Sequence, residues 1–121
     1  MTRRQRKKQR KHILLAKSFD KRGRLIAAAT NSYTKTHPLQ LHFAKQVGMP
    51  EYDKLHAEIL CLLRSRERDI HTLTIERYSA DGMPAMAKPC AICMCAIRAF
   101  NIKFISYTTS EGFITEKVCN D

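Results

Sequence analysis

Two short stretches hold the side chains that zinc chemistry needs. His56-Ala57-Glu58 and Pro89-Cys90-Ala91-Ile92-Cys93 supply an imidazole, a carboxyl and two thiols. Cys90 and Cys93 stand three residues apart, so on a helix both thiols reach the same ion. One His with two Cys makes three protein ligands, the set a catalytic zinc uses while its fourth position stays open for water. Glu58 lies two residues past His56, and on a helix positions i and i+2 diverge by about 200°. It is therefore free of the ligand role and can carry protons beside the water. Helix starts at both stretches would aim partial positive charge at the site and favour the thiolates zinc requires. Two other chemistries use the same residues. A structural zinc would need a fourth ligand from Cys61, Cys95, His42 or His71. A dithiol redox pair at Cys90 and Cys93 would leave His56 idle. Cys61, Cys95 and Cys119 otherwise read as small buried side chains, and His12, His37, His42 and His71 as loop or surface residues.

The elements that position these groups are legible from period and punctuation. Ile13 to Phe19 reads as a strand, Asp20-Lys21-Arg22-Gly23 as a turn, and Arg24 to Thr30 as the returning strand of a hairpin. Pro38, Gly48 and Pro50 break up the stretch from Asn31 to Tyr52, within which Leu39 to Val47 can form a short helix. Asp53 offers an N-cap for a helix from Leu55 to about Ser65, where Leu55, Ile59, Leu62 and Leu63 recur at helical spacing. The charges from Arg64 to Asp69 form its solvated exit. Leu73 to Tyr78 reads as a strand closed by the turn Asp81-Gly82-Met83-Pro84. Pro89 stands at the threshold of a helix from about Cys90 to Phe100, apolar on nearly every side and so expected to be largely buried. Asn101 ends it. Ile102 to Tyr107 is a strand, Ser110-Glu111-Gly112 a turn, and Phe113 to Val118 a last short run. The order β-β-α-β-α-β-β predicts an α/β protein with a mixed sheet and flanking helices.

Composition narrows the classes. The 121 residues are 44% hydrophobic, enough for one globular core and against a wholly disordered chain. No apolar run approaches the ~20 residues of a membrane-spanning helix, so no membrane partner is expected. Behind the charged start, the apolar run Ile13-Leu14-Leu15-Ala16 ends at Lys17, short of a secretory signal. Five cysteines are an odd number, and three of them fall within residues 90–95, unlike a disulfide framework. A cytoplasmic setting is the expectation. The net charge of +11 is unevenly placed. Arg3, Arg4, Arg6, Lys7, Lys8, Arg10 and Lys11 make residues 1–11 a basic arm, expected to be disordered when free, ahead of a domain over residues 12–121. Removing those seven from the 22 Lys+Arg leaves 15 against 11 Asp+Glu, a net +4. The arm can hold phosphates of a nucleic acid, direct nuclear import, or simply solubilise the chain.

Together the two stretches match the H-x-E…P-C-x-x-C pattern of zinc deaminases. The sequence resembles the cytidine and deoxycytidylate deaminase superfamily, which also contains polynucleotide cytosine deaminases and tRNA adenosine deaminases. The resemblance covers most of residues 13–118, because hairpin, helix, strand, helix and strand follow that family's order. It implies a cytidine-deaminase-like fold in which His56, Cys90 and Cys93 hold Zn²⁺ and Glu58 moves protons during attack on the amine-bearing ring carbon. It also implies that the Ala57 backbone amide meets the base edge and that Asn31 contacts the sugar. Tyr33, His37, Phe43 and Tyr52 fall in the segment that would border the pocket, where an aromatic ring could stack on the base. Homo-oligomers are common in the family, so self-association is expected.

This chain departs from the family in two places. A helix normally precedes the hairpin, and only the basic arm stands there. The C-terminal end is short, and its turn resembles the antiparallel ending of free-nucleoside enzymes. His56 instead resembles the deoxycytidylate and polynucleotide branches. The expected function is zinc-dependent hydrolytic conversion of cytosine to uracil in a small nucleoside or nucleotide. One alternative is a cytosine or adenine deaminase of single-stranded DNA or RNA that uses the arm. Another is a non-enzymatic nucleic-acid-binding module with a structural zinc.

Overall fold

The computed structural model describes residues 13–32, 34–66 and 68–118. The basic arm with Arg3, Arg4, Arg6, Lys7, Lys8, Arg10 and Lys11 lies outside them, as do His12, Tyr33 and Cys119.

Strands β1 (Ile13–Phe19) and β2 (Leu25–Thr30) form the expected antiparallel hairpin. Asp20 organises its turn. Its Oδ1 accepts the backbone N–H of Arg22 and of Arg24, both at 2.9 Å, while Gly23 supplies the positive φ of +79° that the turn needs. The three Ala of β2 keep strand geometry against their helical preference, because Ala29 and Ala27 pair with Ala16 and Ser18 of β1 beneath a helix. β3 (Thr72–Tyr78) pairs antiparallel with β1 and parallel with β5 (Phe104–Thr109), and β6 (Gly112–Lys117) returns antiparallel on β5. The sheet order is β2-β1-β3-β5-β6, and β4, the two-residue strand Pro84–Ala85, pairs with β3. The result is the mixed α/β sheet with an antiparallel C-terminal strand that the sequence predicts, consistent with a cytidine-deaminase-like core.

Among the described residues, three helices flank the sheet: α1 (Pro38–Gln46), α2 (Ala57–Ser65) and α3 (Ala91–Ala99). Helix α2 packs on β1 and β2, and α3 contacts α1 and α2. Burial alternates along the middle of β1 and β3 as the pleat requires. Ala16, Ser18, Leu73 and Ile75 are fully buried, while Leu15, Lys17, Thr74 and Glu76 are not. The buried Ser18 hydroxyl finds its partner in Ser65 of α2 at 2.7 Å, and Ser65 donates to the Cys61 carbonyl, so neither polar group is left unmet in the core.

Several boundaries differ from the sequence reading, each for a visible reason. Helix α1 opens at Pro38, a first-turn position that suits proline, with His37 Nδ1 accepting the Leu39 N–H at 3.0 Å. Helix α2 begins two residues later than expected. Thr36 bridges Lys54, and the Leu55 N–H donates to the Lys35 carbonyl, so the chain stays extended there and His56, not Asp53, becomes the N-cap. Pro84 belongs to the short edge strand β4 rather than to the preceding turn, and β5 starts at Phe104 rather than Ile102. Helix α3 is buried on one face only. Ile92, Cys93, Ala96 and Ile97 enter the core, whereas Ala91, Arg98 and Ala99 are exposed. Asn101 follows α3 with φ +58°, a left-handed stop that asparagine tolerates. No helix among the described residues is long and apolar enough to cross a membrane.

Candidate metal centre

The starts of α2 and α3 meet, and that meeting makes the site. His56 is the N-cap of α2 and Cys90 the N-cap of α3. An N-cap side chain ordinarily satisfies the first free N–H groups of its own helix. Here neither does, and both side chains turn to each other instead. His56 Nδ1 lies 3.3 Å from Cys93 Sγ and 3.7 Å from Cys90 Sγ. Around a tetrahedral zinc, N···S separations come to roughly 3.6 Å, so the two observed distances straddle the ideal. The three donor atoms lie within 4.8 Å of one another, and no other His, Cys, Asp or Glu among the described residues joins them. Cys61, Cys95, His42 and His71 therefore supply no fourth ligand. Cys61 is fully buried as expected, whereas Cys95 is only half-buried and its thiol donates to Gln46 Oε1 at 3.1 Å.

Glu58 sits at the second residue of α2, 3% exposed, and its Oε1 has no hydrogen-bond partner among the described residues. A buried carboxyl oxygen without a partner costs free energy, and such an atom marks a place where a small polar group belongs. With a soft N,S,S donor set beside it, the residues fit a zinc ion that retains an open position. The metal centre is thus compatible with zinc on donor chemistry, spacing and the unmet Glu58 Oε1 together.

The ionisation of these groups follows from their packing. Cys93 donates to Cys90 and His56 adds its own hydrogen bond, so the Cys90 thiol is lowered to about 4. Cys93 is held well above its usual range because it is the donor in that pair and is buried. The Cys90 thiolate raises His56 above its ordinary 6.5, and burial raises Glu58. Zinc binding must strip the proton from Cys93 and displaces whatever fraction of a proton His56 holds, but finds Cys90 already ionised. Zinc binding near pH 7 is expected to release about one to two protons, and affinity to fall as pH drops through the raised His56 value. Calorimetric titration in two buffers of different ionisation enthalpy reads that proton count directly. A release of zero would show that these thiols are not the ligands.

A pocket of about 250 Å³ opens beside the centre, lined by Leu14, Asn31, His56, Glu58, Arg77, Met86, Ala87, Lys88 and Cys90. It brings Asn31 of the sequence reading to the metal ligands and leaves His37, Phe43 and Tyr52 out of the lining. Phe43 belongs to the core, and His37 is the N-cap of α1. Ala57 is fully buried behind His56. The lining also includes Arg77, Met86 and Lys88, which sequence reasoning did not single out. Lys88 precedes Pro89-Cys90 and so shares the approach to the thiols, a signal that was available. Arg77 reaches the site only through the β1–β3 pairing, in which it lies opposite Leu14. Gln40 is a further positioning residue. Fully buried on α1, it accepts the His56 backbone N–H at 3.2 Å and donates to the Tyr52 carbonyl at 3.2 Å, pinning the start of α2. No protein-family model matches this chain, and neither a curated protein nor a solved structure matches it.

Proposed function

We propose that this protein is a zinc-dependent hydrolytic deaminase that converts cytosine to uracil in a small nucleotide. The observation that carries the reading is the buried carboxyl of Glu58, whose Oε1 has no partner among the described residues and which opens into the same pocket as His56 and Cys90. A purely structural zinc would have no use for it. When bound, zinc supplies Lewis acidity that makes water a nucleophile near neutral pH, about pH 7. Glu58 takes a proton from the attacking water and passes it to ring N3 of cytosine. It then relays the second proton to the departing amine, so that a C4–O bond forms, the C4–N bond breaks, and uracil and ammonia result. The burial that raises the Glu58 carboxyl suits it to holding a proton between those steps. Asn31 lines the pocket wall, and in this reading it hydrogen-bonds the sugar.

Arg77 and Lys88 on the same wall favour a substrate that carries a phosphate. Deoxycytidine, cytidine and their monophosphates, offered to the zinc-loaded protein and followed by the fall in cytosine absorbance, test the reading. Turnover of a monophosphate supports it, and no turnover of all four contradicts it. Arg77→Gln is expected to raise KM for the monophosphate about tenfold or more, the loss of a charge-assisted hydrogen bond, with the free nucleoside unaffected. Equal effects on both substrates would place Arg77 outside phosphate recognition.

A further inference from the structure

A separate cavity lies at the other end of the sheet from the metal centre. The metal pocket touches Leu14 near the start of β1, whereas this cavity begins at Asp20, just past its end. Leu14 and Asp20 stand six residues apart along this strand, about 20 Å of extended chain. Three segments far apart in sequence converge there: the hairpin turn with Lys21, Arg22 and Arg24, the exit of α2 with Arg66 and Arg68, and Lys103 ahead of β5. The cavity is open and holds about 750 Å³. Two acids, Asp20 and Asp69, share its wall. Asp20 is engaged by Arg24 at 3.0 Å, and among the described residues no ion pair involves Lys21, Arg22, Arg66, Arg68 or Lys103. Arg66 takes φ +57°, a conformation glycine adopts at lower cost, and the chain turns there so that Arg66 and Arg68 border the same space. Phe100, 36% exposed at the C-cap of α3, adds an aromatic ring to the lining.

Unneutralised cations around one cavity repel each other until an anion enters. Guanidinium groups match phosphate bidentately, and an accessible ring beside them offers a surface on which a base can stack. The space exceeds what a lone phosphate fills. We propose that this cavity binds the backbone of single-stranded nucleic acid, with Phe100 as the stacking surface for one base. The inference goes beyond the deaminase reading and stands without it, since it shares no residue with the metal pocket.

The test uses the full-length chain and a fluorescent oligothymidylate, with binding followed by anisotropy across a salt series. Arg22→Gln/Arg66→Gln/Arg68→Gln is expected to weaken binding about tenfold or more and to reduce the slope of log affinity against log salt by about 2, the loss of three phosphate contacts. Phe100→Leu is expected to weaken binding about fivefold or more with the slope unchanged. All four positions are exposed, so unchanged thermal midpoints are expected. Lys21→Gln/Lys103→Gln provides a second route should the triple variant fail to fold. Unchanged affinity in the arginine variant would move binding elsewhere on the chain and overturn the proposal. So would indifference to Phe100→Leu, absence of binding by the unaltered protein, or equal displacement by polyglutamate or a mononucleotide.

Discussion

Glu58→Gln is expected to lower kcat by about a thousandfold while leaving one zinc per chain, the middle of the range for losing a positioned proton carrier. Glutamine keeps the volume and the hydrogen-bonding reach of the side chain but cannot move a proton. Because Glu58 is 3% exposed and its Oε1 is unpartnered, the same change removes a buried carboxyl that costs the fold free energy. The thermal midpoint should therefore hold or rise as activity disappears. Kinetics, metal analysis and calorimetry on one preparation check all three. Retained turnover, or loss of zinc together with turnover, would remove Glu58 from the proton-carrier role.

Cys90→Ser is expected to abolish stable zinc binding and turnover together. Loss of a residue that merely orients a metal ligand already costs about 10–100-fold in affinity, and loss of one of three direct ligands should exceed that. Cys90 is exposed, so the substitution leaves the core packing intact, unlike a change at the fully buried Cys93. Cys95→Ser is the control. Its thiol hydrogen-bonds Gln46 and stands apart from the donor group, so zinc content should not change. Metal analysis after dialysis against a weak chelator distinguishes the two. Zinc lost from the Cys95 variant would instead indicate a fourth ligand and a structural ion.

Much of this arrangement is written locally in the chain, and the rest depends on partners no local pattern names. The hairpin was legible because Asp20 and Gly23 specify its turn, and the Cys90/Cys93 spacing because a helix start converts three residues into one face. The start of α2 falls two residues later than its local pattern predicts because the Thr36–Lys54 bridge competes with the Asp53 cap, a long-range pairing absent from the local signal. The exposed face of α3 is marked in its sequence by Arg98 alone, and for the otherwise apolar rest only docking selects which side is covered. Arg77 joins the pocket through strand register alone. Arg64, Arg66, Arg68 and Asp69 do form a solvated helix exit, but the convergence of the last three with the hairpin turn and Lys103 is a property of the fold.

Mass spectrometry of deoxycytidine monophosphate incubated with the zinc-loaded protein in water enriched in the heavy oxygen isotope addresses the central claim most directly. Hydrolysis at the amine-bearing carbon predicts a uracil nucleotide about 3 Da heavier than the substrate, its new oxygen drawn from solvent. Recovery of unchanged cytosine alone, from nucleoside, monophosphate and single-stranded oligonucleotide alike, would contradict it.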